Sequence, residues 1–236
     1  MEIKGAVALV TGANRGIGRH FAQQLLERGA AKVYATARAP QGVDLPGAEV
    51  LPLDITDPAS VAAAADAAPD VTLLVNNAGI SAYQNLVGGD LRRMRSELDT
   101  HLWGTLDMVR AFAPVLRRNG GGAILNVLSA LSWFSYDGAT SYSVAKAAEW
   151  ALTNGVRLEL AGQGTLVAGL HMGAVDTDMM AGFDIDKLDP ADVVRAALDG
   201  IEKGQREILV DDASRQAKAG LAADPGLLYP GTVPAA

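Results

Sequence analysis

The feature that most constrains this chain is a glycine-rich turn between a short apolar run and an amphipathic segment. The turn reads Thr11-Gly12-Ala13-Asn14-Arg15-Gly16-Ile17-Gly18 and follows the β-branched run Val7–Val10. The amphipathic segment, residues 17–26, has helical spacing and ends near Gly29, a predicted C-cap. Where a strand passes into a helix, glycines permit positive φ and the free N–H groups of the helix attract anions. The turn therefore predicts a phosphate-binding site at the start of a helix.

Six further apolar runs alternate with alanine-rich helical segments along the chain. Most of the runs are continuous rather than alternating, which is typical of strands buried on both faces. Asp57-Pro58 predicts the start of another helix, because proline is tolerated in a first turn. Repeated β-α-β units predict an α/β fold with a doubly wound parallel sheet of about seven strands and helices on both faces. The predicted strands are residues 7–10, 32–35, 50–53, 73–76, 123–128, 165–171 and 207–210.

Length and composition favour one compact unit. The chain has 236 residues, of which 49% are hydrophobic and 20% charged, enough for a sizeable core and unlike a disordered chain. We find no linker and no internal repeat. We therefore expect residues 1–236 to form a single dinucleotide-binding and catalytic domain, with a short substrate loop near 179–188 and a C-terminal tail.

Charge and residue usage exclude several classes of function. A net charge of −7 without a Lys/Arg block argues against binding nucleic acid or a membrane surface. The chain has no cysteine, and its three histidines are far apart, so we expect no metal site. The N-terminal apolar run is too short for a signal peptide, and no stretch approaches a membrane span. The expected compartment is the cytoplasm.

Tyr142 and Lys146 stand four positions apart, so on a helix they share one face. A tyrosine side chain has an ordinary pKa near 10, and a neighbouring ammonium favours the phenolate and lowers that pKa. A tuned phenol can protonate the alkoxide that forms when a hydride reaches a carbonyl carbon. Ser129 offers a hydroxyl that could hold the same oxygen. The three residues are therefore the candidate catalytic set.

Taken together, these motifs resemble the short-chain dehydrogenase/reductase family, in its non-extended branch. The glycine turn matches the family's Thr-Gly-x-x-x-Gly-Ile-Gly, and Asn76-Asn77-Ala78-Gly79 matches its Asn-Asn-Ala-Gly. Tyr142 and Lys146 match Tyr-x-x-x-Lys, and Ser129 precedes the tyrosine by 13 positions, as in the family. The resemblance covers roughly residues 5 to 180. It implies a Rossmann fold and a nicotinamide-dependent oxidoreductase, with Lys146 also holding the nicotinamide ribose.

The end of the second predicted strand indicates NADP(H) rather than NAD(H). NAD-binding proteins usually carry an acidic residue there, whereas this chain has Ala37 followed by Arg38. Arg38 and Arg15 could together hold a 2′-phosphate, although both could also be solvated surface residues. The resemblance implies contacts of Asp54 with adenine, of Asn77 with the adenosine ribose, and of Val175 and Thr177 with the carboxamide. The predicted cofactor-binding residues are Gly12, Asn14, Arg15, Gly16, Ile17, Gly18, Arg38, Asp54, Asn77, Ala78, Gly79, Tyr142, Lys146, Val175 and Thr177.

Two positions depart from the family pattern. His101 stands where the family has an asparagine that helps to hold a water, part of a proton relay to the lysine. His101 either retains part of that role or simply packs within its helix. The proline that usually precedes Gly173 is Met172, so the usual proline contact with the nicotinamide ring falls to Met172 or is absent.

The predicted substrate pocket has an aromatic and thioether lining. The segment that follows Ser129 and the loop after the sixth strand both lie where the family's pocket opens. Such a lining favours a small apolar ketone or aldehyde, although each of these residues alone could equally belong to the core. The candidates are Tyr83, Trp133, Phe134, Tyr136, Met172, Met179 and Phe183.

The function that these features favour is an NADP(H)-dependent carbonyl reductase or alcohol dehydrogenase. A non-catalytic NADP(H) sensor on the same fold is the alternative, but such proteins tend to lose the Tyr/Lys pair. An extended-branch epimerase would need more chain after Lys146, and a hydrolase would need a G-x-S-x-G elbow at Ser129. The family usually assembles as a homodimer or homotetramer, so the resemblance implies one of these two assemblies here.

Overall fold

A single parallel sheet of seven strands organises the chain. The computed structural model describes residues 1–229, and the end of the predicted C-terminal tail, 230–236, lies outside the described residues. The strand order is β3-β2-β1-β4-β5-β6-β7, and every pair of neighbours is parallel. The strands are β1 (Val7–Val10), β2 (Lys32–Ala37), β3 (Glu49–Pro52), β4 (Leu73–Asn76), β5 (Gly122–Val127), β6 (Thr165–His171) and β7 (Glu207–Leu209).

Helices cover both faces of this sheet. On one face, Phe21 and Leu25 of the first helix and Val193 and Leu198 of the sixth pack against the strands. On the other face the second, fourth and fifth helices contribute to the core, which includes the fully buried Phe112. The helices are α1 (Gly16–Glu27), α2 (Pro58–Ala67), α3 (Leu91–Leu98), α4 (Thr105–Arg118), α5 (Thr140–Glu159), α6 (Pro190–Glu202), α7 (Asp212–Ala219) and α8 (Pro225–Leu228).

The predicted fold class is confirmed, and most strand bounds agree with the structure to within two residues. β2 continues to Ala37, and β7 ends one residue earlier than expected. Gly29 has φ +79° just after α1, as its predicted C-cap role requires. Asp57 caps α2 by accepting a hydrogen bond from the N–H of Ala59 at 3.0 Å.

The strand order reverses direction between β1 and β4. In an open parallel sheet, the crevice outside the carboxyl ends of the strands at such a point is where ligands bind. The glycine turn follows β1, and Asn77-Ala78-Gly79 follows β4, so both sequence motifs meet at this crevice. Within residues 1–229, no helix has the length and apolar character needed to cross a membrane.

Candidate active site

The hydroxyl of Thr11 links the glycine turn after β1 to the loop after β4 by hydrogen bonds. Its Oγ1 accepts hydrogen bonds from the backbone N–H groups of Asn77 and Ala78, each at 2.9 Å. The side-chain amide of Asn77 donates in return to the carbonyl of Thr11 at 2.9 Å. Asn77, expected near the adenosine ribose, therefore also fixes the shape of the glycine turn.

The glycines of the turn are required by its geometry. Gly12 and Gly16 have φ of +67° and +53°, and a Cβ on Gly18 would lie 2.2 Å from the carbonyl oxygen of Gly12. α1 begins directly after Arg15, with no side-chain cap and no acidic residue in its first turn. The uncapped N–H groups and the helix dipole therefore fit the pyrophosphate of a dinucleotide.

The loop after β6 closes against the same turn. Thr177 contacts Gly16, because a Cβ on that glycine would lie 3.3 Å from the Thr177 Cγ2. Arg15 forms an ion pair with Asp178 of this loop at 3.0 Å. Val175 is buried and forms a parallel β-bridge with Leu188. This bridge closes the base of the segment that contains the predicted 179–188 loop. Thr177, which is predicted to touch the nicotinamide, therefore lies beside the glycine turn.

The adenosine end of the crevice carries the other predicted cofactor residues. Arg38 is exposed directly after the buried Ala37 at the end of β2. Partial burial tends to raise the pKa of Asp54, but hydrogen bonds from Thr56 and the nearby Arg38 hold it below its usual range. Its carboxylate accepts from the Thr56 N–H at 3.0 Å and hydroxyl at 2.7 Å. Their roles in binding a cofactor remain predictions.

Tyr142 and Lys146 lie on one face of α5, as their spacing predicts. The Lys146 Nζ is 5.7 Å from the centroid of the Tyr142 ring. The ammonium is buried and donates to the carbonyl of Val127 at 2.8 Å and to the Oε2 of Glu149 at 2.7 Å. The lysine is therefore fixed between the end of β5 and a carboxylate on its own helix.

Ser129 lies just beyond β5 and starts a short 3₁₀ turn. Its Oγ accepts a hydrogen bond from the Leu131 N–H at 3.1 Å, and its carbonyl lies 3.2 Å from the Nδ1 of His171. Burial lowers the pKa of His171 to about 4, so this ring is neutral at physiological pH. The ring also stacks on Trp133 at a centroid distance of 3.9 Å. A stacked aromatic pair thus lies against the backbone of Ser129.

His101 lies in a π-helical segment, Asp99–Gly104, between α3 and α4. Such segments are rare in proteins, and those that do occur are often found at functional sites. The buried ring meets the Tyr142 ring edge-on at a centroid distance of 5.4 Å. Its Nε2 lies 2.7 Å from the Ile80 carbonyl, and its Nδ1 lies 3.5 Å from the Glu149 Oε2. His101 therefore contacts the predicted acid and the counter-ion of the predicted lysine.

Glu149 is the site residue that the sequence analysis missed. Its position three residues after Lys146 on the same helix was the available signal, since such pairs are neighbours. Burial opposes the charged form of both groups, but their mutual attraction outweighs it. The pKa of Lys146 is accordingly raised and the pKa of Glu149 is lowered. The pair is therefore an ammonium and a carboxylate.

The expected lowering of the Tyr142 pKa was wrong for this structure. Burial is the largest cause and raises the pKa of Tyr142, while the Lys146 ammonium acts in the opposite direction. The carboxylates of Glu149 and Glu97 raise it further. The net result is a phenol that keeps its proton at neutral pH.

The predicted substrate residues fall into two groups. Tyr83 and Phe183 meet at a ring distance of 5.3 Å, and the Tyr83 hydroxyl donates to the carbonyl of Met179. These three and Tyr136 are exposed, and Phe134 is half-buried. Tyr83 has φ +50°, the one positive value outside glycine among the described residues.

The second group belongs to the interior of the protein. Trp133 is buried between His171 and Trp150, and Met172 is buried with its carbonyl accepting from the Ala130 N–H at 2.8 Å. Trp133 therefore has the core role that the sequence left open.

Comparison with known proteins identifies a family and relatives that this chain resembles. A family model described as short chain dehydrogenase matches residues 6–187. A 3-oxoacyl-[acyl-carrier-protein] reductase, FabG, of Vibrio cholerae is 34% identical over 194 residues, which cover 76% of this chain and 77% of the relative.

Two solved structures extend the comparison. A short chain dehydrogenase from Burkholderia cenocepacia in complex with NADP is 40% identical, has a TM-score of 0.93, and aligns over 97% of this chain and 98% of the relative. A 3-ketoacyl-(acyl-carrier-protein) reductase from Brucella melitensis complexed with NADH is 27% identical, with a TM-score of 0.84 over 90% of this chain and 100% of the relative.

Proposed function

The chain belongs to the short-chain dehydrogenase family, and from that premise we propose that it reduces the carbonyl group of a small apolar ketone or aldehyde with NADPH. As a member it is an oxidoreductase that uses a nicotinamide cofactor. The observation that carries the proposal is the pair of Tyr142 and Lys146 on α5, with the Lys146 ammonium held by the Val127 carbonyl at the end of β5. A buried ammonium beside a half-buried phenol favours the enzyme over a non-catalytic sensor.

The residues of the crevice fit the cofactor. The N–H groups at the start of α1 would hold the pyrophosphate, with Gly12 and Gly16 in the positive-φ conformation that the turn requires. Arg38 and Arg15 would hold the 2′-phosphate, since Ala37 stands where NAD-binding chains carry a carboxylate. The NADP in the Burkholderia relative supports this choice, whereas the Brucella relative was solved with NADH. When bound, the nicotinamide supplies the hydride.

Tyr142 acts in this proposal as the general acid. Its raised pKa keeps the phenol protonated at neutral pH, so a proton is available for the substrate oxygen as the carbonyl is reduced. The Ser129 Oγ accepts from the Leu131 N–H, which leaves its own hydrogen to donate to that oxygen. The Lys146 ammonium stabilises the phenolate that remains.

The mouth of the site supports an apolar substrate. Tyr83, Phe183 and Met179 form an exposed aromatic and thioether edge beside the loop after β6. A second candidate is the reduction of a 3-oxoacyl thioester, and the names of the Vibrio and Brucella relatives favour it. The predicted homodimer or homotetramer is also part of this proposal.

The test is the loss of NADPH absorbance with small ketones, aldehydes and a 3-oxoacyl thioester. NADH and a Tyr142→Phe variant are run in parallel. We expect turnover of the small carbonyls with NADPH, weaker turnover with NADH, and none in Tyr142→Phe. A clear preference for the thioester would replace the proposed substrate by the second candidate. Binding of NADPH without turnover of any carbonyl would contradict the proposed activity.

A further inference from the structure

The carboxylate of Glu149 is buried next to the predicted catalytic lysine, and the proposed reaction gives it no task. The residue is 2% exposed. Its Oε2 lies 2.7 Å from the Lys146 Nζ and 3.5 Å from the His101 Nδ1, and its Oε1 accepts from the Thr105 hydroxyl at 3.4 Å. Three elements, α5, the π-helical segment and α4, thus converge on one buried carboxylate.

A buried carboxylate is costly unless it is paired, and a pair of well-packed apolar residues would often serve stability equally well. The Lys146 ammonium also has the Val127 carbonyl at 2.8 Å as a partner. The position of Glu149 therefore points to an electrostatic effect on the site rather than to stability alone.

Several ionisable groups face the Tyr142 phenol from the elements packed around it. α5 contributes the Lys146 ammonium and the Glu149 carboxylate, and α3 contributes the buried carboxylate of Glu97. The loop of residues 77–90 contributes Tyr83, and the π-helical segment contributes the His101 ring. The ammonium is the group in this set that favours a phenolate, and Glu149 lies in direct contact with it.

We propose that Glu149 is a positioning residue, a fixed counter-charge that aligns the Lys146 ammonium and limits its pull on Tyr142, so that the site is poised for carbonyl reduction at neutral pH. This inference rests on the proposed function, because it needs Tyr142 to be the proton donor. In each reduction NADPH gives a hydride to the carbonyl carbon and becomes NADP⁺. The O–H bond of Tyr142 breaks as the O–H bond of the alcohol forms.

The first experiment compares the wild-type protein with Glu149→Gln, which keeps the shape of the side chain and removes its charge. The charge of Glu149, which raises the pKa of Tyr142, is then removed, so Tyr142 loses its proton more readily. We expect the alkaline limb of the pH profile of kcat/KM for reduction to move about one to three pH units lower, the size of effect that a close charge produces.

A second readout does not depend on turnover. The ultraviolet absorbance of tyrosinate is titrated in the cofactor-free protein, and the same titration of Tyr142→Phe is subtracted to isolate Tyr142. Its transition is expected to move to lower pH in Glu149→Gln by the same amount. An unmoved transition together with an unmoved kinetic limb would overturn the proposal.

Glu97→Gln is the matched control. It also removes a buried carboxylate that faces Tyr142, but Glu97 accepts from the Ala82 N–H at 2.6 Å and is not bonded to Lys146. We expect a smaller shift than in Glu149→Gln. Equal shifts in both variants would show that any nearby carboxylate has this effect, which contradicts a specific role for Glu149.

Folding is checked by circular dichroism. If Glu149→Gln does not fold, Glu149→Asp retains the charge but draws it away from the Lys146 Nζ, and it should give a smaller shift in the same direction. A folded Glu149→Asp without a shift, or loss of the fold in both variants, would make Glu149 a structural residue and overturn the proposal. If the wild type binds NADPH but reduces no carbonyl, the proposed function itself is wrong. If the wild type is active, Tyr142→Phe is inactive and the limb stays in place in Glu149→Gln, this inference alone fails.

Discussion

Replacing Arg38 should weaken the binding of NADPH more than replacing Arg15, although both arginines are predicted to hold the 2′-phosphate. Arg15 already forms an ion pair with Asp178 at 3.0 Å. Within residues 1–229, no carboxylate lies within ion-pair distance of Arg38. Arg15 must therefore give up a partner before it can bind a phosphate, whereas Arg38 does not.

The exposure of the ion pair between Arg15 and Asp178 sets the size of the difference in NADPH affinity between the two variants. A hydrogen bond to a charged group contributes about 1.5–3 kcal/mol, so Arg38→Ala should raise the Kd of NADPH by about 10- to 150-fold. The Arg15 and Asp178 side chains are 69% and 71% exposed, and an exposed ion pair is worth at most about 1 kcal/mol. The loss in Arg15→Ala should therefore be smaller by up to about fivefold.

The assay is a titration of each variant with NADPH and with NADH, by calorimetry or nicotinamide fluorescence. The Kd of NADH should stay within about twofold of wild type, because NADH has no 2′-phosphate for the arginines to bind. Arg92→Ala, which removes an exposed arginine on α3, is the matched control and should change neither Kd. Equal losses for NADPH and NADH in Arg38→Ala, or no loss for NADPH, would refute the assignment of the phosphate site.

Three further perturbations test other parts of the structure. Asp178→Asn frees Arg15 and should tighten NADPH binding by up to about fivefold; an unchanged Kd would show that the ion pair does not compete with the cofactor. Thr11→Val leaves the N–H groups of Asn77 and Ala78 without their acceptor. It should lower the free energy of unfolding, measured with urea, by about 1–3 kcal/mol. An unchanged free energy of unfolding would mean that water replaces the hydroxyl. Because the pKa of folded His171 is about 4, against 6.5 for an ordinary histidine, the unfolded chain binds more protons between these values. Stability should therefore fall by about 3 kcal/mol as the pH drops from 6.5 to 4, and His171→Gln should flatten that decline; the same slope in both proteins would contradict the burial argument.

Much of the fold is visible in the sequence because local signals and burial agree. The continuous apolar runs became strands buried on both faces, as in β4, where all four residues are buried. Gly29 and Asp57 end and begin helices for reasons that act within a few residues. The glycine turn lies next to the loop after β4, and this also follows from the strand order that a doubly wound sheet requires.

The parts that the sequence did not reveal depend on contacts between distant residues. The π-helical segment that carries His101 has no local signature, and the approach of His101 to Glu149 spans 48 positions of the chain. Whether Trp133 faces a pocket or the core depends on His171 and Trp150, which belong to other elements. The pKa of Tyr142 is set by burial against the charge of Lys146, and a spacing of four residues cannot decide which of the two effects is larger.

The most direct test of the proposed reaction follows the hydrogen itself. The protein is incubated with NADPH that carries deuterium at the transferable position of the nicotinamide, together with a ketone that the wild type reduces. Mass spectrometry of the alcohol should find one deuterium on the former carbonyl carbon in the wild type, and no labelled alcohol in Tyr142→Phe. An alcohol without deuterium, or undiminished labelling in Tyr142→Phe, would contradict hydride transfer to a carbonyl with Tyr142 as its acid.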